Sequence, residues 1–378
     1  MELVELELEK VANGGSIVAR HQGKVVFVTG GLPGERAVAS ITETGKRFDR
    51  AEVTEVLRES PGRVEPPCPI AQTCGGCDWQ HASEALQLEL KTQVVAEQLR
   101  RLAGIEWTGK VESVGPAAAS RTRMRYSVDG SGRVGLKKRR SHDIVPLPEQ
   151  GCMVAAGGID VPELQELGTG ASQLEVVEAD GSVNVLVDGE VRKGLGTVTH
   201  RVGGHTFEVS TDGFWQGHPK APQLLSEAVL AALQPQAGEK ALDLYCGVGL
   251  FAGGLAQAGC SVLGVESNRR AIRHARRNVP EAKFMARDVS SALKNHRGHV
   301  DLVVLDPPRK GAGATVVRRL AALAPRTIAY VSCDAATLAR DLATFAELGF
   351  EAQQIHAWDL FPMTAHVECL AVLSRAAV

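Results

Sequence analysis

Two side chains near the C-terminus stand where chemistry needs them. Cys333 closes the apolar run Ile328-Ala329-Tyr330-Val331-Ser332, and Glu368 enters the apolar run that follows His366-Val367. A thiol at the end of a strand sits on the rim where open parallel sheets bind ligands. A carboxylate inside an apolar strand is costly unless it has a partner or a task. Upstream, Ala241-Leu242-Asp243-Leu244-Tyr245-Cys246-Gly247-Val248-Gly249 reads as a strand running into a glycine turn and a helix. Ala252 stands where the dinucleotide fingerprint has its third glycine. Asp243 would repel a pyrophosphate but suits a cationic amino-acid group. Glu266 is placed to accept from two ribose hydroxyls, and Asp288 from an adenine amino group. A cation, a ribose and an adenine together describe S-adenosylmethionine better than NAD.

A thiol, a carboxylate and a methyl donor suit methylation at C5 of a pyrimidine. C5 of uracil is a poor nucleophile. A thiolate that adds to C6 makes C5 enolate-like, able to attack a sulfonium methyl; a base then removes the C5 proton and the thiolate leaves. Asp306-Pro307-Pro308-Arg309 follows the apolar strand Leu302–Leu305 as a rigid pocket wall. Arg309 stands where amine methyltransferases carry an aromatic residue, which sets exocyclic-amine chemistry behind C5 chemistry. Cytosine C5 methylation and a non-catalytic RNA-binding scaffold are the remaining alternatives.

The other chemistry-bearing residues are cysteines and arginines. Cys68, Cys74 and Cys77 lie close together in a Pro/Gly-rich segment, and Cys152 can return to them in space. Four thiolates fit a tetrahedral zinc or a 4Fe–4S cluster, and the spacing leaves both open. Cys246, Cys260 and Cys369 read as small core or pocket-wall residues. Basic residues concentrate between Arg121 and Arg140: Arg121, Arg123, Arg125, Arg133, Lys137, Lys138, Arg139 and Arg140, against one acid, Asp129. Arg121, Arg123 and Arg125 alternate, so on a strand they would share one face and grip phosphates.

These residues need elements to position them. The chain has 378 residues, 44% hydrophobic and 23% charged, a globular balance that excludes a disordered or fibrous protein. Lys+Arg total 42 and Asp+Glu 44, so net charge alone does not announce nucleic acid. No 18-residue apolar run and no basic-then-apolar leader is present, which points to the cytoplasm and no membrane partner. Residues 1–58 alternate apolar and polar positions in five short runs that fit an OB-like β-barrel. A helix is expected from about Ser83 to Leu102, capped by Ser83 and stopped by Gly104. Residues 105–205 are β-rich. From 223 onward strands and helices alternate as in a doubly wound α/β sheet, with a hairpin of late strands at one edge.

In order along nearly the whole chain, these motifs resemble the uracil-C5 RNA methyltransferases that carry an N-terminal TRAM domain and an iron–sulfur site. Val26-Phe27-Val28 and Leu32-Pro33-Gly34-Glu35 are similar to the TRAM barrel. Cys68-x5-Cys74-Gly75-Gly76-Cys77 with Cys152 is similar to the cysteine signature. Asp243-Leu244-Tyr245-Cys246-Gly247-x-Gly249, Asp306-Pro307-Pro308-Arg309, Ser332-Cys333 and His366-x-Glu368 complete the match. The resemblance implies a TRAM barrel at 1–58, an iron–sulfur region at 59–104 and about 141–160, a central β-rich RNA-binding domain at 105–205, and a Rossmann-like methyltransferase domain at 206–378. It implies Cys333 as the C6 nucleophile, Glu368 as the base, and a 4Fe–4S cluster on Cys68, Cys74, Cys77 and Cys152. Gln216, in Phe214-Trp215-Gln216, matches a glutamine near donor and base, and Asp306 the acid on the uracil edge. Asp243, Tyr245, Gly247, Gly249, Glu266 and Asp288 complete the expected donor site. The expected substrate is RNA, with 23S ribosomal RNA first and transfer RNA as the alternative, and the expected state is a monomer. Two departures stand out: Ala335 replaces a proline after the nucleophile, and His218 replaces an asparagine after Gln216.

Overall fold

The computed structural model describes residues 2–376. The chain opens with β1 (Leu3–Glu7), β2 (Lys10–Val11), β3 (Ile17–His21), β4 (Lys24–Thr29), β5 (Arg36–Thr44) and β6 (Phe48–Arg58). They form one sheet in the order β1-β5-β6-β4-β3-β2. Val4 and Leu6 are buried while Leu3, Glu5 and Glu7 are exposed, as strand alternation requires. The expected OB-like barrel of five strands differs from what forms. There are six strands, and β1 and β2 end the sheet without pairing with each other. The backbone N–H of Leu8 donates to Glu35 O at 2.9 Å and that of Glu9 to Val18 O at 2.8 Å. The chain therefore bends from one sheet edge to the other with its donors already used.

Next comes α1 (Glu84–Ala103). Ser83 Oγ accepts the Leu86 N–H at 3.3 Å, and Gly104 ends the helix in the left-handed region at φ +67°. The helix serves two cores. Leu90 and Val94 join the N-terminal sheet, while Val95 and Leu99 join the C-terminal one. After β7 (Val111–Ser113) come β8 (Arg123–Val128), β9 (Val134–Lys137), β10 (Ile144–Pro146), α2 (Val161–Leu167), β11 (Gln173–Ala179), β12 (Ser182–Val187) and β13 (Glu190–Lys193). The strands from β8 to β13 make a second six-stranded sheet, ordered β10-β9-β8-β11-β12-β13. A separate ribbon pairs β14 (Thr197–Val202) with β15 (His205–Ser210).

The rest alternates: α3 (Ala221–Leu233), β16 (Lys240–Leu244), α4 (Leu250–Gln257), β17 (Ser261–Glu266), α5 (Arg269–Asn278), β18 (Lys283–Ala286), α6 (Val289–Asn295), β19 (Leu302–Leu305), α7 (Ala314–Leu323), β20 (Thr327–Ser332), α8 (Ala335–Glu347), β21 (Phe350–Asp359) and β22 (Glu368–Arg375). The eight-stranded sheet runs β18-β17-β16-β19-β20-β22-β21-β7. β19 is buried at every position, as a parallel strand covered on both faces must be. The late hairpin β21–β22 forms as expected, but it is not an edge: β7, from far upstream, pairs parallel with β21. Helix α6 is absent from the sequence expectation. Among the described residues, no helix is long and apolar enough to cross a membrane.

Candidate active site

The carboxyl ends of β16, β17 and β19 and the start of α4 enclose the first half of the site. Asp243 is fully buried. Its Oδ2 accepts the Ala252 N–H at 2.9 Å, and its Oδ1 is buried without a partner. Burial pushes this carboxyl up to about 7, and the nearby Asp306 and Glu266 push in the same direction. An orphaned, desolvated carboxylate oxygen is what a ligand ammonium would satisfy. Gly247 has φ +52°, and an added Cβ there would meet nothing within 4 Å, so its backbone faces open space. Tyr245 also has positive φ, +64°, unusual for a side chain of its size. Its N–H is tied to Val265 O at 2.8 Å. Glu266 Oε1 accepts from Asn268 N at 2.7 Å and from Ser267 Oγ at 3.0 Å. Asp288 Oδ1 accepts Ser291 N at 2.9 Å as the N-cap of α6, a structural duty that the unforeseen helix adds to its expected role.

The end of β19 again, the end of β20 and the start of β22 build the other half. Asp306 follows β19, and the Gln216 side-chain amide donates to its Oδ2 at 3.3 Å. Burial pushes Asp306 up to about 7, against the pull of that hydrogen bond. Cys333 follows β20. Antiparallel pairing of β20 with β22 sets Ser332 opposite Cys369, so the chain next to each brings Cys333 beside Glu368. Glu368 is 3% exposed. Its carboxyl is held well above the ordinary range by burial and then by Asp306. Burial pushes the Cys333 thiol up to about 11, Glu368 adds to that, and Arg309 opposes it.

Around these groups the supports are polar and specific. Asp341 Oδ2 accepts from Tyr330 Oη at 2.6 Å and from Ala312 N at 2.8 Å, which ties the tail of the Pro-Pro loop to α8. Asp334 caps α8 by accepting Thr337 N at 2.8 Å, so Ala335 starts the helix without the missing proline. His218 is buried, its Nδ1 accepts Lys220 N at 3.2 Å, and burial lowers its basicity. The loop before Glu368 is stapled to upstream residues. Met363 N donates to Gln87 Oε1 at 2.9 Å, and Met363 O accepts Asp78 N at 2.7 Å and Trp79 N at 3.0 Å. Lys91 Nζ meets Asp359 Oδ1 at 2.5 Å, both side chains buried.

Cys68, Cys74, Cys77 and Cys152 line one cavity of about 160 Å³, with Arg121, Met124, Arg125 and Leu136 among the other walls. Burial raises the Cys77 thiol to about 12, with the neighbouring cysteines adding to the effect. Among the described residues, no group of three or more His, Cys, Asp or Glu side chains is set to hold a metal ion. The thiols thus ring a void rather than converge on a point.

The basic run divides instead of forming one phosphate-facing row. Arg125 is exposed and meets Glu175 at 2.9 Å. Arg139 meets Asp78 at 2.6 Å and donates to Cys77 O. Lys137 and Lys138 meet the cysteine segment through their backbones, Lys137 O accepting Gly75 N at 2.9 Å and Lys138 bridging to Cys74. Arg140 lies beside Arg50 of the N-terminal sheet. Arg123 corrects the expectation of a shared surface. Its Nη1 donates inward to Thr211 O at 2.9 Å and Gly213 O at 2.6 Å. A row overlooked in the sequence is exposed on α5: Arg269, Arg270, Arg273, Arg276 and Arg277. Its signal was plain, five arginines in ten residues of a chain with net charge −2.

An open α/β sheet with a glycine turn and acid-tipped strands makes the C-terminal unit a Rossmann-like methyltransferase fold. Residues 192–376 match the family described as tRNA (Uracil-5-)-methyltransferase, and residues 2–54 match the TRAM domain. A relative in Streptomyces coelicolor, described as an uncharacterized RNA methyltransferase, is 43% identical over 100% of this chain and 93% of its own length. The 23S rRNA (uracil(1939)-C(5))-methyltransferase of Pectobacterium atrosepticum is 32% identical over 95% of this chain and 90% of that one. The crystal structure of Pyrococcus abyssi tRNA (uracil-54, C5)-methyltransferase in complex with S-adenosyl-L-homocysteine is similar with a TM-score of 0.75 and 25% identity, covering 98% of this chain and 99% of that one. The chain belongs to the uracil-C5 RNA methyltransferases with an N-terminal TRAM domain, enzymes that use S-adenosylmethionine to methylate uracil in RNA.

Proposed function

We propose that the enzyme methylates a uridine of a transfer RNA by covalent catalysis at Cys333. The observation that carries the chemistry is the half-buried Cys333 beside the buried Glu368, at the strand ends that also hold Asp306 and Gln216. Transfer RNA moves ahead of the ribosomal RNA expected from sequence because the similarity to the Pyrococcus abyssi tRNA enzyme spans both chains almost end to end. A ribosomal uridine is the second reading, supported by the Pectobacterium atrosepticum relative.

S-adenosylmethionine supplies an electrophilic methyl group when bound. Asp243 Oδ1 would receive its ammonium, Glu266 its ribose hydroxyls and Asp288 its adenine amine, while Tyr245, Gly247 and Gly249 bring backbone close. Asp306 and Gln216 receive the uracil edge. Cys333 gives up its thiol proton to water and adds through sulfur to C6, which delivers an electron pair to C5. C5 then forms its bond to the methyl group as that group's bond to the sulfonium sulfur breaks, leaving the electron pair on a neutral thioether. Glu368 takes the C5 proton, the C6–S bond breaks, and Cys333 returns. Arg309 is the cation placed to favour the thiolate. The base must be unpaired or flipped out for its face to meet Cys333.

Cys68, Cys74, Cys77 and Cys152 would hold a 4Fe–4S cluster, a reading supported by the four thiols lining one cavity. Such a group ties loops together and takes no part in methyl transfer. Anaerobic reconstitution giving about four irons per chain and a higher melting temperature supports it; stoichiometric zinc without iron overturns it. Lys137, Lys138, Arg139 and Arg140 with Arg121 and Arg125 border the RNA path, beside an N-terminal face where Arg50 lies over the rings of Phe27 and Phe48 at 5.9 and 5.1 Å. In this reading residues 1–58 and 105–205 capture RNA, 59–104 and 141–160 form the cysteine site, and 206–378 transfer the methyl group. Transfer and ribosomal transcripts, incubated with labelled donor and mapped for 5-methyluridine, decide the substrate. Label confined to ribosomal RNA overturns the first reading.

A further inference from the structure

We infer that Thr122 and Arg123 are positioning residues that clamp the loop carrying Gln216 and so hold Gln216 against Asp306. This rests on the reading that Asp306 and Gln216 receive the uracil edge. Gln216 lies in the segment 211–220, which joins β15 to α3 without regular structure of its own. A loop of that kind needs its carbonyls bound from outside. Arg123 Nη1 donates to Thr211 O at 2.9 Å and Gly213 O at 2.6 Å. Its chain neighbour grips the far side: Thr122 N and Oγ1 donate to Gly217 O at 2.8 and 3.0 Å. Three carbonyls that flank Phe214-Trp215-Gln216 are therefore held by two successive residues at the start of β8.

The clamp is not a stability device. Arg123 Nε and Nη2 are buried without a partner, and no carboxylate lies within ion-pairing distance of Arg123 among the described residues. A buried cation on neutral carbonyls is poorly compensated. Glu175 and Asp212 act on it only at longer range, and the adjacent His200 is kept neutral by burial and by Arg123 itself. His200 in turn stacks on Trp215 at 4.7 Å, which pins the middle of the loop. These contacts fall on Thr211, Gly213, Trp215 and Gly217, so the segment around Gln216 is held on both sides. Phe214, in contrast, is 74% exposed, so the loop is held at its flanks and at Trp215 and open at this side chain.

The test uses the full-length enzyme, its substrate RNA, and the variants Arg123→Ala, Arg123→Lys and Thr122→Val. With Arg123→Ala, amide hydrogen exchange should rise in residues 211–217 and not in β16–β20. At saturating RNA and donor, kcat should fall about tenfold to a hundredfold, the scale of a small misplacement. RNA affinity, its salt dependence and donor affinity by calorimetry should stay unchanged. Arg123→Lys should restore part of kcat, and Thr122→Val should give a smaller fall of the same kind. Unchanged exchange in 211–217 overturns the clamp. So does a variant that loses melting temperature with kcat intact. Weaker RNA binding with a flatter salt slope and normal kcat would make Arg123 a phosphate contact instead. If the wild-type enzyme methylates no uridine, the functional reading fails, and the exchange data still judge the clamp.

Discussion

The strand that carries Glu368 and the loop that carries Gln216 border one pocket, yet they are held in unlike ways. Glu368 starts β22, hydrogen-bonded between β20 and β21, and the loop before it is locked by Gln87 and by the buried Lys91–Asp359 pair. Gln216 has no ladder. Its position depends on carbonyls gripped by a cation that lacks a counter-charge. The first arrangement is redundant and fails by unfolding. The second is sparse and fails by misplacement. On the proposed reading, the site is thus firm around Glu368, the base, and thinner around Gln216, which meets the uracil edge.

The largest effects should come from the firm side. Cys333→Ala should abolish product and leave no covalent RNA adduct. Glu368→Gln should transfer one methyl and stall as an adduct through Cys333, seen as a heavier band in denaturing gels and assigned by mass spectrometry. Full turnover by Glu368→Gln would contradict its role as base. The support behind it should show up in stability. Lys91→Met strands the buried Asp359 and should cost about 3–5 kcal/mol, read by denaturant unfolding. Adding Asp359→Leu should recover much of that loss, because the unpaired charge is then gone.

Smaller effects follow from pH. The Cys333 thiol, pushed up to about 11, is neutral below that value and nucleophilic above it. Single-turnover adduct formation should therefore rise with pH, about tenfold per unit between pH 7 and 9. A flat profile would mean that bound RNA ionises the thiol beforehand. The smallest expected signal is at the donor site. Asp243, near 7 without a ligand, is mostly protonated at pH 6. A cationic ligand favours its ionised form, so donor binding should release a proton at pH 6 and little at pH 8. Calorimetry in buffers of different ionisation heat reads that release directly, and equal release at both pH values would remove Asp243 from the ammonium site.

Much of the molecule was legible where the signal is local. β16 and β20 follow from continuous apolar runs, and the start of α4 from the glycine turn after β16, all within a few residues. The cysteines could be named from their type, and their meeting around one cavity required only that the chain return at Cys152. What escaped was set by distant partners. β7 has three residues and is a strand only because β21, far along the chain, accepts it. α6 is seven residues of mixed polarity, too short for a helical period to show. Arg123 looked like one of three alternating surface arginines, since alternation reports the face of a strand and not what covers that face.

The staple at Met363 has a consequence for how the chain is made. Asp78, Trp79 and Gln87 leave the ribosome long before Met363, yet they receive it. The early-emerging segment is a template on which the loop leading into β22 and Glu368 is seated, and a contact of such sequence separation forms late in folding. A fragment starting at residue 206 would keep every group proposed for the methyl transfer while lacking this seat, along with α1 and β7. The boundary drawn by chemistry and the boundary drawn by self-sufficiency therefore do not coincide in this enzyme.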